Sequence, residues 1–155
     1  MKPASIATIK KTLKDLSKEE LTTLVLKLGT LKVDNKAMLS YLLYYENDKA
    51  TYLKEVQQYI INNFAALNQD SSFYVRKGLR KIEREINKQI KYVKDKNFEV
   101  ELLLCYLQAF TTLDNIHQHK LNTIFERVML KTKTKINALH EDLQYDFNKV
   151  LNELN

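Results

Sequence analysis

The chain has 155 residues, a formal net charge of +6 and a pI near 9.2, with two Gly, one Pro, one Cys and no Trp. Gly and Pro together make up about 2% of it against an average nearer 12%, which argues against the turn-rich all-β folds. Two glycines cannot form GxGxxG, neither Gly29 nor Gly78 sits in a GxxxxGK[ST] loop, and the lone Cys105 excludes an internal disulfide or a multi-cysteine metal site.

Apolar spacing is helical nearly throughout. Ile6, Ile9, Leu13 and Leu16 mark a first helix after Pro3 and Ser5. Ser17-Lys18-Glu19-Glu20 is a capping box, a Ser hydroxyl for an orphan N–H and a Glu three residues on reaching back. The second helix carries Leu21, Leu24, Val25 and Leu28 and is expected to stop at Gly29, in the left-handed position that favours glycine. Asp34 or Asn35 is the expected cap of a third helix through Met38, Leu39, Leu42 and Leu43. Asn47 or Asp48 caps a fourth through Tyr52, Leu53, Val56, Ile60 and Phe64.

Ser71-Ser72 opens the longest helix, residues 73–94, which Asp95-Lys96-Asn97 breaks. A sixth, 98–113, is apolar on most sides and is the expected centre of the core. A seventh covers 116–131. The last, 134–153, carries a core seam at Ile136, Leu139, Leu143, Phe147, Val150 and Leu154. The apolar-free stretch Lys131-Thr132-Lys133-Thr134-Lys135 reads as a polar joint. The chain also matches itself weakly at a shift of 46: Glu55-Val56 with Phe64 to Leu67 falls on Glu101-Leu102 with Phe110 to Leu113. Periods of about 40–47 belong to two-helix solenoid units.

Charge is uneven. Residues 71–97 hold nine Lys or Arg against three acids, while 37–70 and 98–130 are each net acidic. At about 100° per residue, Lys77, Arg80, Lys81, Arg84, Lys88 and Lys91 share one face of the fifth helix, opposite Val75, Leu79, Ile82, Ile86, Ile90 and Val93. Three of the four arginines, Arg76, Arg80 and Arg84, step through this helix at i, i+4 and i+8. Arginine offers a planar fork for phosphate or carboxylate that lysine lacks. Two readings follow. The stripe is a solvated face whose arginines pair with acids such as Glu83, Glu99, Glu101 or Glu141. Or Arg76, Lys77, Arg80, Lys81, Arg84, Lys88 and Lys91 meet a polyanion, with Tyr74 and Tyr92 at the edge as stacking surfaces.

Other candidates for chemistry are weak. His117 and His119 lie about 200° apart on a helix and cannot share a metal; a surface or first-turn position is expected for them. His140, Asp142 and Asp146 form a carboxylate-rich turn that reads mainly as a solvated face. Cys105, within Leu102 to Leu107, reads as a buried small hydrophobe. Tyr41, Tyr44, Tyr45 and Tyr52 read as core edge or as an interface. No metal, cofactor or catalytic residue is expected, and no enzyme.

Leu16-Ser17-Lys18-Glu19-Glu20-Leu21, Lys77-Gly78-Leu79-Arg80-Lys81-Ile82 with Ile86-Asn87-Lys88, and Leu139 to Phe147 resemble an uncharacterised all-helical bacterial family of unknown function. That resemblance implies an all-helical fold and carries over no activity and no functional residue.

The expectation is one all-α domain over 1–155: seven or eight helices stacked as antiparallel hairpins, in an α–α superhelix or a bundle. No stretch approaches 18 uninterrupted apolar residues, so a cytoplasmic protein without membrane contact is expected. The favoured function is a non-enzymatic protein-interaction module, its partner another protein. The alternative is nucleic-acid binding through helix 73–94.

Overall fold

A computed structural model describes residues 2–154. Among them are nine α-helices and no strand: α1 (Ile6–Lys14), α2 (Lys18–Leu31), α3 (Val33–Tyr44), α4 (Lys49–Ala65), α5 (Ser72–Val93), α6 (Lys96–Phe110), α7 (Asn115–Lys120), α8 (Asn122–Ile136) and α9 (Glu141–Asn152). No helix among the described residues is long and apolar enough to cross a membrane. The chain parts into two compact units, one ending at Tyr44 and one beginning at Tyr45.

The first unit is a short helix followed by the α2–α3 hairpin. The Ser17 capping box forms as the sequence predicts: Ser17 Oγ accepts from Glu20 N at 3.2 Å, and Glu20 Oε2 accepts from Ser17 N at 2.8 Å. The expected stop at Gly29 is overturned. α2 runs on to Leu31, and Gly29 is buried inside it without a positive φ. Glycine here serves close packing and not a turn: a Cβ on Gly29 would stand 3.2 Å from Leu39 Cδ2 of α3. Asn35 is no cap either; its Nδ2 donates to the Leu28 carbonyl at 2.8 Å and ties the hairpin together.

The second unit is built around α6, which buries ten side chains, including Leu102, Leu107, Val100 and Tyr106. α4 and α8 pack on it, and α5 and α9 pack in turn on these layers. Asp48, Ser71 and Asp95 cap α4, α5 and α6 through side-chain oxygens. Cross-links between helices recur at nearly one spacing: Lys49 to Asp95, Glu83 to Arg127, Asn87 to Lys131 and Ser72 to His117. These pairs are 44 to 46 residues apart, close to the shift at which the sequence matches itself. α4 therefore runs parallel to α6, and α5 parallel to α8, with each antiparallel hairpin stacked on the next. This is the all-α hairpin architecture that the sequence predicts.

Several boundaries of this unit differ from expectation: α6 ends at Phe110, and the last helix begins at Glu141, so that of its expected seam Ile136 closes α8 and Leu139 lies in the turn. The predicted seventh helix is split at Leu121 into α7 and α8. The stretch 131–135 is no joint: α8 continues through it to Ile136, and the turn falls at 137–140. Thr132 is fully buried, its Oγ1 donating to the Val128 carbonyl at 2.8 Å. Lys135 reaches Glu99 at 3.0 Å. Tertiary partners thus hold as helix a segment that has no apolar residue of its own.

Candidate polyanion-binding site

The cationic face stands on α5. Ser71 fixes its start by accepting from Tyr74 N, and burial of Val75, Leu79, Ile82, Ile86 and Val93 fixes its rotation. Ile90, predicted on the same face, is half-buried. With the apolar side locked against the core, Arg76, Lys77, Arg80, Lys81, Arg84 and Lys91 are held in solvent. Gly78, in the second turn of the helix, gives up its side-chain space to Leu67 of the preceding loop.

Arg76, Lys77, Arg80 and Arg84 line an open groove of about 620 Å³, together with Phe73 and Asn87. Lys77, Lys81 and Arg84 also line a second depression, beside Leu67 and Tyr74. Among the described residues, none of Arg76, Lys77, Arg80, Lys81, Arg84 and Lys91 has a carboxylate partner. Arg84 donates through Nε to the Arg80 carbonyl at 3.3 Å, which lays its guanidinium along the helix. Lys88 differs from the rest. It is half-buried and pairs with Glu85 at 3.4 Å.

Three of the four acids named as partners for the arginines are engaged elsewhere, and Glu141 stands exposed at the start of α9. Glu83, on the wall of the groove, accepts from Arg127 Nη2 at 2.8 Å and from the Tyr106 hydroxyl at 3.1 Å. The Glu83 contact raises the Arg127 pKa further, against a smaller opposing effect of burial. Glu99 pairs with Lys135. Glu101 is partly buried beside Gln57, and loss of solvation raises its pKa. The solvated-pair arrangement expected for the three α5 arginines is therefore not the one the structure adopts.

The remaining candidates take structural places. His117 lies in the first turn of α7, one of the two positions expected for it, and is buried there: Nε2 lies 2.7 Å from the Gln69 carbonyl and Nδ1 lies 3.0 Å from Ser72 Oγ. It ties α7 to the loop before α5. His140 and Asp142 are exposed and pair at 3.3 Å. Cys105 is buried, and its thiol is pushed up to about 11 by loss of solvation and by the Glu101 charge. Tyr45, Tyr52 and Phe98 form a run of rings 4.9 and 6.0 Å apart. Tyr41 is buried and Tyr44 exposed. Among the described residues, no group of three or more His, Cys, Asp or Glu could hold a metal ion.

Comparison with known proteins finds no match: no family model, no curated protein and no solved structure is detectably similar to this chain.

Sequence reasoning passed over two residues of this region. Arg127 lies on no periodic stripe; its distinguishing sign was being the one arginine outside α5. Phe73 was legible: it precedes Lys77 by four and Arg80 by seven residues, which puts an apolar ring on the cationic face.

Proposed function

We propose that this chain is a non-enzymatic helical module that binds a phosphate polyanion along α5. A cytoplasmic setting, where such polyanions are abundant, is part of this reading. One observation carries it: Arg76, Arg80 and Arg84 are exposed, lack carboxylate partners among the described residues and line one groove. A chain with 21 lysines and four arginines has put three of those arginines here. Exposed cations gain little from one another and repel within a turn. A polyanion that releases its counterions on contact would offset that repulsion.

Fluorescence anisotropy of a labelled mixed-sequence oligonucleotide tests this. Binding near the micromolar range is expected at about 50 mM salt, falling steeply by about 200 mM. The Arg76→Gln/Arg80→Gln/Arg84→Gln variant is expected to lose it. Absence of binding at low salt would make the stripe a solvated face.

A second reading, a protein-interaction module, draws on the first unit. There Val25, Leu28, Met38 and Leu42 line an apolar groove of about 270 Å³ on the α2–α3 hairpin. Pull-down with the full chain and with Leu28→Lys would show whether that groove captures a partner.

A further inference from the structure

Resting on the polyanion reading of the same face, we infer that its ligand is single-stranded nucleic acid, held by base stacking on Phe73 and Tyr74 as well as by phosphate contacts. Phe73 is 71% exposed and Tyr74 is 51% exposed, although both sit in the first turn of a helix whose apolar residues are otherwise turned to the core. Their rings meet edge to face, with centroids 5.6 Å apart and planes at 71°. The two rings therefore present differently oriented faces to solvent. Phe73 opens the groove that Arg76, Arg80 and Arg84 continue, and Tyr74 stands at the head of the neighbouring depression with Lys81.

The chemistry of the pair selects the ligand. What sets Phe73 apart from the other exposed apolar residues is its place in the arginine groove, where a ring offers a surface that phosphate contacts alone do not use. An unpaired base offers a π-face that stacks on such a ring, whatever the base. In a duplex that face is covered by neighbouring base pairs. The arginines suit the same strand: steps of four residues advance about 6 Å along the helix axis, a spacing that lets successive forks follow successive phosphates of an extended backbone. Asn87 is the one neutral amide lining the groove, and its Oδ1 accepts from Lys131 at 3.3 Å. With little on the wall to read base edges, the expected binding is tolerant of sequence.

The test uses the full chain and three labelled probes of about 15 nucleotides: a mixed-sequence single strand, its duplex, and a strand of abasic sites with the same phosphates. The single strand is expected to bind about tenfold tighter than the abasic strand, and tighter than the duplex. Phe73→Ala/Tyr74→Ala should lose about that factor for the single strand and leave the abasic strand unchanged. Because both rings are exposed, helix content by circular dichroism should stay the same. Phe73→Trp keeps a stacking ring and would be the only tryptophan in the chain. Its fluorescence should be quenched by the single strand and not by the abasic one. Equal affinity for abasic and base-bearing strands, with no quenching of Phe73→Trp, overturns the stacking inference while leaving the charge reading in place. Absence of binding to all three probes at low salt overturns both.

Discussion

The Nη2 nitrogen of Arg127 on α8 lies 2.8 Å from each carboxylate oxygen of Glu83 on α5. One guanidinium thus holds the acid that faces the arginine groove. The Tyr106 hydroxyl adds a bond to Oε1, and the Glu83 side chain is 21% exposed against 58% for Arg127. Hydrogen bonds to charged groups contribute about 1.5–3 kcal/mol, but so exposed a guanidinium merits a discount for solvent screening. Arg127→Ala should lower stability by about 1 kcal/mol, read from the urea midpoint. Glu83→Gln in the same background should recover part of the loss, because no half-buried charge is then left with Tyr106 alone. Equal stability of wild type and Arg127→Ala would show the contact to be energetically neutral.

Burial acts on the centre of α6 through two neighbouring groups. The Cys105 thiol is pushed up to about 11 by loss of solvation and by Glu101. The Tyr106 phenol is raised by loss of solvation first and by the Glu83 charge second. Both folded-state values lie above the unfolded ones, so their contribution is fully present below the unfolded values of about 8.5 and 10 and fades above them. Urea midpoints should hold level to about pH 8.5 and then fall. Cys105→Ala should make the first part of that fall shallower. Alkylation of Cys105 by iodoacetamide at neutral pH should be slow in buffer and fast in urea.

The turn between α5 and α6 consists of one left-handed residue and one cap. Lys94 has φ 51°, and Asp95 Oδ1 accepts from Asn97 N at 2.9 Å and Phe98 N at 3.1 Å. Lys94→Gly should stabilise by about 0.5–1 kcal/mol, since a side chain is disfavoured in that conformation. Asp95→Ala should cost about 1 kcal/mol. Loss of solvation pushes the Asp95 carboxyl up. The Phe98 N–H, Lys49 and the Asn97 N–H outweigh that and leave it below its ordinary value. Its contribution is therefore present above about pH 3.9 and is lost as pH falls through the lower folded value. Asp95→Asn should keep most of the cap and remove that acid dependence.

Leu67 occupies the space where a side chain on Gly78 would stand. Alanine in a helix interior is favoured over glycine by about 1 kcal/mol, yet here the gain meets the end of the Leu67 side chain. Gly78→Ala alone should be neutral or destabilising. In a Leu67→Ala background the same change should stabilise, a sign reversal that a double-mutant cycle reads directly.

What the sequence makes legible is local. Ser17 with Glu20, Asp48 and Ser71 cap the helices that they precede, because capping depends on residues three apart. The two faces of α5 were likewise readable, since burial of Val75, Leu79, Ile82 and Ile86 follows from helical spacing. The misreadings are tertiary. Gly29 lies inside α2 where it lets Leu39 pack close, and Thr132 is buried although its neighbours in sequence are lysines. His117 takes the first-turn position expected for it, but its burial is tertiary, since Gln69 and Ser72 reach it from across the fold. The decisive feature of the candidate site, the removal of Glu83 by Arg127, joins residues 44 apart. No periodicity within one helix could reveal it.

The most direct test of the α5 surface is the salt dependence of single-strand binding for three proteins of the same length. These are the wild type, Arg76→Gln/Arg80→Gln/Arg84→Gln, and the control Lys10→Gln/Lys11→Gln/Lys14→Gln, which makes the same charge change on exposed positions of α1. Each phosphate neutralised contributes about 0.7 to the slope of log K against log salt. The α5 variant should bind more weakly, with a slope reduced by about 2, and the α1 control should keep the wild-type slope. Equal losses in the two variants would mean that binding senses overall charge, and would contradict a site on α5.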